Sequence, residues 1–169
     1  MNKRFYFAFT LIFAVILVGC SKKDKEVIDC SNLIAEIGPT NIILKFTDKT
    51  SGENLILAKE ITDADVTVTD KKTGNTVKAW RITKSETAES PINGTLGLAI
   101  FGETTGVFNY QITIKDVGSA VLSYTITKEK GSACRPFYYP VKDVKITDRE
   151  YSVLTIDGKE INNFLIIKL

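Results

Sequence analysis

The chain has 169 residues, 25% of them charged, with a formal net charge of +2 and no histidine. The lack of histidine excludes Ser-His-Asp and Cys-His catalysis, and it removes the imidazole ligands of most catalytic zinc sites. The small net charge argues against nucleic-acid binding, which normally leaves a basic surplus or stripe.

The first twenty residues have the pattern of an export signal. Lys3 and Arg4 precede an apolar run over residues 5–18, which is shorter than the roughly 20 apolar residues that a spanning helix needs. The run ends in Leu-Val-Gly-Cys at residues 17–20, and this combination resembles the lipobox of bacterial lipoproteins. The resemblance implies that residues 1–19 are a signal peptide, that a peptidase cuts before Cys20, and that the thiol of Cys20 is lipidated. An ordinary secretory signal or a short transmembrane anchor is the alternative, but neither explains the abrupt change in polarity at Cys20.

Residues 20–29 are predicted to be a solvated tether, because Ser21 is followed by five charged residues that cannot bury surface. Lipoproteins exported to the outer face of the outer membrane often carry an acid-dominated segment here, whereas this tether begins with more lysines than acids. We therefore expect a lipid-anchored protein of the cell envelope, at the outer membrane, with its inner or outer face undecided. Cleavage removes Lys3 and Arg4, so the mature chain has 20 basic and 20 acidic side chains.

Two cysteines remain after lipidation of Cys20. An exported protein meets an oxidising compartment, so Cys30 and Cys134 are predicted to form a disulfide. It would close a loop of about 100 residues, worth up to roughly 4.7 kcal/mol in the chain-entropy model. The alternative is two separate buried thiols.

The body of the chain, residues 30–169, is predicted to be one all-β domain. Apolar residues alternate with polar ones at the period-two spacing of half-buried strands. Eight or nine short strands separated by turns predict an antiparallel β-sandwich, with a β-barrel as the alternative. The predicted inward-facing sets are Ile42, Leu44 and Phe46; Val66 and Val68; Leu96, Leu98 and Ile100; Phe108, Tyr110, Ile112 and Ile114; Leu122, Tyr124 and Ile126; Val144 and Ile146; and Leu154 and Ile156.

The C-terminus is predicted to be a buried strand. Residues 164–169 are almost continuously apolar, as in a strand covered on both sides. Asp157-Gly158 is a strong hairpin signal, because both residue types tolerate positive φ. The last strand is therefore expected to pair within its own chain.

One hairpin carries a resemblance to known modules. The segment over residues 65–75, Asp-Val-Thr-Val-Thr-Asp followed by a Thr-Gly turn, is similar to hairpins of transthyretin-like and immunoglobulin-like sandwich modules in surface proteins. The resemblance implies a sandwich rather than a barrel. The whole mature chain resembles small surface lipoproteins of unassigned activity.

Four residues are candidate ligand contacts. Two prolines bracket three aromatics in residues 133–140, so Tyr138 and Tyr139 can stack on a sugar or a peptide while Arg135 grips a carboxylate. The alternative is that Phe137 and one of these tyrosines pack into the core. Trp80, the only tryptophan, is the fourth candidate, although a core or strand-surface role suits it better.

The sequence predicts a non-enzymatic binding or structural module. It shows no catalytic set, no cofactor motif and no metal site, since Asp63 and Asp65 lack the spacing of a calcium loop. The expected partners are the membrane, through the N-terminal lipid, and a glycan or protein ligand, with the chain itself a monomer. The alternatives are a fimbria-like assembly subunit that donates its last strand to a neighbour and, less favoured, a glycan hydrolase that uses carboxylates alone.

Overall fold

A computed structural model describes residues 38–169 of the chain. The predicted signal peptide, the tether, Cys20 and Cys30 lie outside the described residues. The compact unit that contains the described residues runs from Ile34 to Leu169.

Strands dominate the described part of the chain. They are β1 (Thr40–Thr47), β2 (Val66–Asp70), β3 (Trp80–Thr83), β4 (Thr95–Ile100), β5 (Gly106–Ile114), β6 (Gly118–Ile126), β7 (Glu129–Lys130), β8 (Phe137–Tyr138), β9 (Val141–Ile146), β10 (Tyr151–Ile156) and β11 (Lys159–Lys168). One short helix, α1 (Leu55–Ala58), and a 3₁₀ turn, Asp63–Asp65, connect β1 to β2. No helix within residues 38–169 combines the length and the apolar character needed to cross a bilayer.

Two open sheets form the sandwich. The first has the strand order β10-β11-β1-β4-β3, and the second has the order β2-β5-β6-β9, while β7 and β8 form a separate two-stranded ribbon. A single buried cluster joins Ile42 and Leu44 of the first sheet to Val68 and Leu122 of the second. The predicted all-β sandwich is confirmed, and the barrel alternative is wrong, because neither sheet closes on itself.

The period-two pattern explains why these segments pack as they do. Alternate residues of a strand point to the same face of its sheet. Ile42, Leu44 and Phe46 of β1 are fully buried, as the pattern predicts. In the facing sheet, the ring of Tyr124 on β6 stacks on Phe108 at 5.3 Å between centroids and meets Tyr110 edge-on at 5.6 Å. The core therefore combines aliphatic side chains with an aromatic trio.

The last strand lies inside the first sheet. β11 pairs with β10 on one side and with β1 on the other. The turn between β10 and β11 has positive φ at Asp157 (51°) and Gly158 (75°), as its sequence predicts. Phe164 and Leu165 are adjacent, so they face opposite sides of the sheet, and both are buried. The predicted internal hairpin is confirmed, but the β1–β11 pairing is parallel, which the antiparallel expectation missed.

One predicted strand face is wrong. Leu154 and Ile156 were expected to point inward, yet Ile156 is exposed, and it is Tyr151 and Val153 that pack against the core. The β10–β11 register shifts between Val153 and Thr155. Between these paired positions β10 has only Leu154, whereas β11 has residues 161–164, so the extra residues lie on β11, where Asn163 has positive φ (64°). β10 carries large apolar residues at both parities, so alternation alone did not decide which face is buried.

Candidate functional site: the aromatic end of the sandwich

The described chain enters the sandwich at one end, which we call the entry end. It is the end at which β1 and β5 begin and β4 and β6 finish. A groove of about 820 Å³ opens there. Its walls are the start of the described chain (38–40), the loop after β4 (100–104) and the aromatic segment (135 and 137–140).

The aromatic segment presents its rings to solvent. Phe137 is 47% exposed and Tyr138 is 38% exposed, whereas Tyr139 is half-buried against the core. Of the two sequence interpretations, the core role therefore holds only for Tyr139. The ribbon of β7 and β8 presents Phe137 and Tyr138 at the groove, and Arg135 and Tyr139 line it with them.

A carboxylate holds Tyr138 in place. The Tyr138 hydroxyl donates to Glu129 Oε2 at 2.7 Å, and Lys142 Nζ and the Thr127 hydroxyl donate to Glu129 Oε1. The hydrogen bond from Lys142 is the main cause that lowers the pKa of Glu129, with Tyr138 next. The same contacts raise the pKa values of Tyr138 and Lys142. The hydrogen bond to Glu129 ties the Tyr138 hydroxyl to the ribbon and so orients its ring at the groove.

Positively charged side chains lie in the segment that carries the Phe137 ring. Lys128 Nζ lies 3.8 Å from the centroid of the Phe137 ring, a cation–π contact. Lys142 is neutralised by Glu129. Within residues 38–169, neither Lys128, Lys130 nor Arg135 forms an ion pair. The aromatic segment therefore carries uncompensated positive charge.

Cys134 lies in the same segment and is disulfide-bonded. Pairing with Cys30 stays a prediction, because Cys30 lies outside the described residues.

Trp80 is placed apart from the other three candidates. Its indole Nε1 donates to the Val77 carbonyl at 2.8 Å, and the half-buried ring packs against the core. It lines a trough on the first sheet and not the entry-end groove. The structure therefore brings together Arg135, Tyr138 and Tyr139 but not Trp80, whose ligand-binding role stays a prediction.

Sequence reasoning missed Phe101, which is 73% exposed and lines the groove. The sequence did indicate that Phe101 is exposed. It directly follows Ile100, the last inward-facing residue of β4, so it should point outward, and it precedes Gly102. It also missed Lys128 and Glu129. Their roles depend on the β7–β8 pairing, which no local pattern of two-residue strands can indicate.

Several acidic side chains of the described chain accept hydrogen bonds from backbone amides, hydroxyl groups or lysines. Asp63 accepts a hydrogen bond from the Ile82 amide, and Asp65 caps the 3₁₀ turn. No three acidic or cysteine side chains in residues 38–169 come together as a metal-ligand set. Hydrogen bonds lower four carboxyl pKa values: that of Asp48, from the Ser51 and Thr50 amides; Asp65, from Thr62; Glu129, from Lys142; and Glu150, from Lys168. A glycosidase acid needs the opposite, a raised pKa.

Comparisons with protein families, with curated proteins and with solved structures found no match to this chain.

Proposed function

We propose that this protein is a lipid-anchored, non-enzymatic binding module of the bacterial cell envelope, and that its ligand occupies the entry-end groove. The observation that carries the proposal is the pair of solvent-exposed rings, Phe137 and Tyr138, beside Arg135 and Phe101, with Tyr138 held by its hydrogen bond to Glu129. Exposing large rings forgoes the favourable free energy of burying them. Rings that are held rigidly in water lose little further entropy on binding, which favours recognition.

The alternatives find less support. β11 is hydrogen-bonded on both sides within its own chain, so it offers no free edge for donation to a neighbouring fimbria-like subunit. The hydrolase alternative needs a carboxyl kept protonated near neutral pH, whereas the pKa shifts of Asp48, Asp65, Glu129 and Glu150 run downward. A monomeric binding module agrees with both observations.

The anchor is tested by changing Cys20→Ala in the full chain. We expect the product to lose palmitate labelling and to be released from the membrane or mislocalised, because the lipobox residue is gone. A variant that still takes up label and still fractionates with membranes would show that the anchor assignment is wrong. Cys30→Ala serves as the matched control, and it should keep both the label and the location.

The groove is tested with the chain beginning at Ser21, which retains the compact unit Ile34–Leu169. Its co-sedimentation with purified bacterial envelopes should fall at least about tenfold in F137S/Y138S, because each lost ring removes roughly 1 kcal/mol or more of contact. The control is L57S/I92S, which changes two exposed apolar residues at the opposite end. Equal binding by both double variants would contradict a role for the groove.

A further inference from the structure

The exposed apolar side chains of the sandwich are concentrated at one end. Of the eight large apolar residues exposed in residues 38–169, two, Leu57 and Ile92, lie near α1 and the start of β4, far from the groove. The other six lie where strands begin or finish at the entry end: Phe101, Val107, Phe137, Tyr138, Ile156 and Ile161. Ile156 and Ile161 belong to this end because β11 runs parallel to β1 and starts beside it. Such concentration in one region marks an interaction surface.

The charged side chains close to the exposed rings of Phe137 and Tyr138 are mostly positive. The ribbon from Lys128 to Arg135 contains three cations and one acid, Glu129, which Lys142 neutralises. The mature chain as a whole is balanced, with 20 bases and 20 acids. Aromatic rings beside lysine and arginine are the composition that proteins present to the interface of an anionic bilayer.

The predicted anchor leads to the same end. The described chain starts at residues 38–40, which line the groove together with Tyr138. Cys134, in the aromatic segment, is disulfide-bonded. With Cys30 as its predicted partner, only residues 21–29 separate the lipid on Cys20 from this end. The solvated tether that the sequence predicts there would span on the order of 20 Å, about half the thickness of a bilayer.

From this convergence we infer that the entry end docks on the membrane surface, with Phe101 and Phe137 at the headgroup layer and Lys128, Lys130 and Arg135 against lipid phosphates. The inference rests on the proposed function and names the ligand of the same site, an anionic lipid surface. The lipid on Cys20 and the protein surface at the entry end then make two separate contacts with the membrane. The opposite end of the sandwich faces away from the bilayer.

The test uses vesicles of phosphatidylcholine alone and vesicles that also contain phosphatidylglycerol. The chain from Ser21, which carries no lipid, should sediment with the anionic vesicles and much less with the neutral ones. Neutralising K128Q/K130Q/R135Q should lower the partition coefficient by about fivefold per charge. The matched control is K49Q/K59Q/K115Q, which removes three exposed lysines from the opposite end and should bind as the parent does.

A second pair of variants tests the rings. F101S/F137S should weaken binding to anionic vesicles at least about tenfold, whereas L57S/I92S should leave it unchanged. Equal binding to both kinds of vesicle would overturn the docking inference. Equal losses of binding in K128Q/K130Q/R135Q and in K49Q/K59Q/K115Q would do the same. If the vesicles fail to bind while envelope sedimentation still depends on Phe137 and Tyr138, the docking inference is wrong and the proposed binding function stands. If F101S/F137S leaves vesicle binding unchanged and F137S/Y138S leaves envelope sedimentation unchanged, both the docking inference and the proposed binding function are wrong.

Discussion

The two ends of the sandwich treat their polar and apolar side chains in opposite ways. At the end away from the groove, polar side chains fold back onto the backbone. Asn54 accepts from the amides of Ile56 and Leu57 and donates to the carbonyls of Asn93 and Gly94. At the entry end, large apolar side chains face water, and Lys128, Lys130 and Arg135 have no ion-pair partner within residues 38–169. Asn54 at the first end is satisfied by its own chain, whereas most of the exposed rings lie at the second end.

This contrast separates structural residues from functional candidates. A side chain that already satisfies backbone groups stabilises the fold, because replacing it leaves those groups without partners. A ring exposed at a strand end contributes little to the fold, and its removal should alter binding without altering stability.

The largest effect is expected from truncation after Asn163. It removes the buried residues Phe164, Leu165 and Ile167, and with them the pairing of β11 to β1. Each large buried side chain is worth about 2–5 kcal/mol, so the loss exceeds the stability of a typical domain. Circular dichroism and urea titration should show an unfolded chain, whereas deletion of Leu169 alone should leave a cooperative transition. A truncated chain that stays folded but no longer self-associates would favour the assembly alternative.

The disulfide of Cys134 should rank second. A cross-link that closes a loop of about 100 residues stabilises by up to roughly 4.7 kcal/mol, through the unfolded state. We expect Cys134→Ser to lower the free energy of unfolding by no more than that, and peptide mapping without reductant to find residues 30 and 134 joined. Quantitative alkylation of Cys30 in native, undenatured protein would show that the predicted pairing is wrong.

Asn54→Ala should destabilise the polar end by about 2 kcal/mol. The side chain caps α1 and also ties it to the turn before β4, so one substitution leaves two amides and two carbonyls without this partner. Urea titration measures the change. Asn109→Ala, at an exposed strand position, is the control and should stay within about 0.5 kcal/mol of the parent. Equal effects would show that Asn54 is not structural.

The smallest effect concerns Glu129, which is partly exposed. Its folded pKa lies below the ordinary value of 4.5, so its stabilisation is complete above pH 4.5 and is lost as the pH falls through the folded pKa. We expect Glu129→Gln to flatten the acid limb of the unfolding midpoint plotted against pH, and to increase the mobility of the Tyr138 ring in NMR spectra. Glu103→Gln, on the opposite wall of the groove, should leave Tyr138 unchanged. An unaltered acid limb in Glu129→Gln would mean that the network does not order the ribbon.

Strand identity could be predicted from the sequence wherever one face is buried. The alternation in β1 and β4 is regular, and burial of that face leaves each strand only one orientation. The buried face of β10 could not be predicted, because large apolar residues occur at both parities of this strand, and the irregular pairing that Asn163 marks by its positive φ lies on β11. Neither could the parallel pairing of β1 with β11: Thr47 donates to the Ile167 carbonyl across 120 positions of sequence, and contacts at that range leave no local pattern.

The aromatic site was only half predictable. The prolines around residues 137–139 indicate an extended segment, but a run of aromatics suits a core and a binding surface equally. Exposure was decided by tertiary context: β7 and β8 pair as a ribbon outside the two sheets, so Phe137 and Tyr138 have no facing sheet to cover them. Phe101 joins the site only because the loop after β4 lies across the groove from that ribbon.

The position of β11 also determines when this protein can fold. β1 emerges early from the ribosome but lacks one neighbour until the ten residues of β11, Lys159–Lys168, have been made. Closing so long a loop costs entropy before any contact repays it, which slows folding. The first sheet therefore stays incomplete until β11 has been made. For a chain that we propose is exported, this delay favours the unfolded form that a translocation pore accepts, and the sandwich closes only after β11 has crossed.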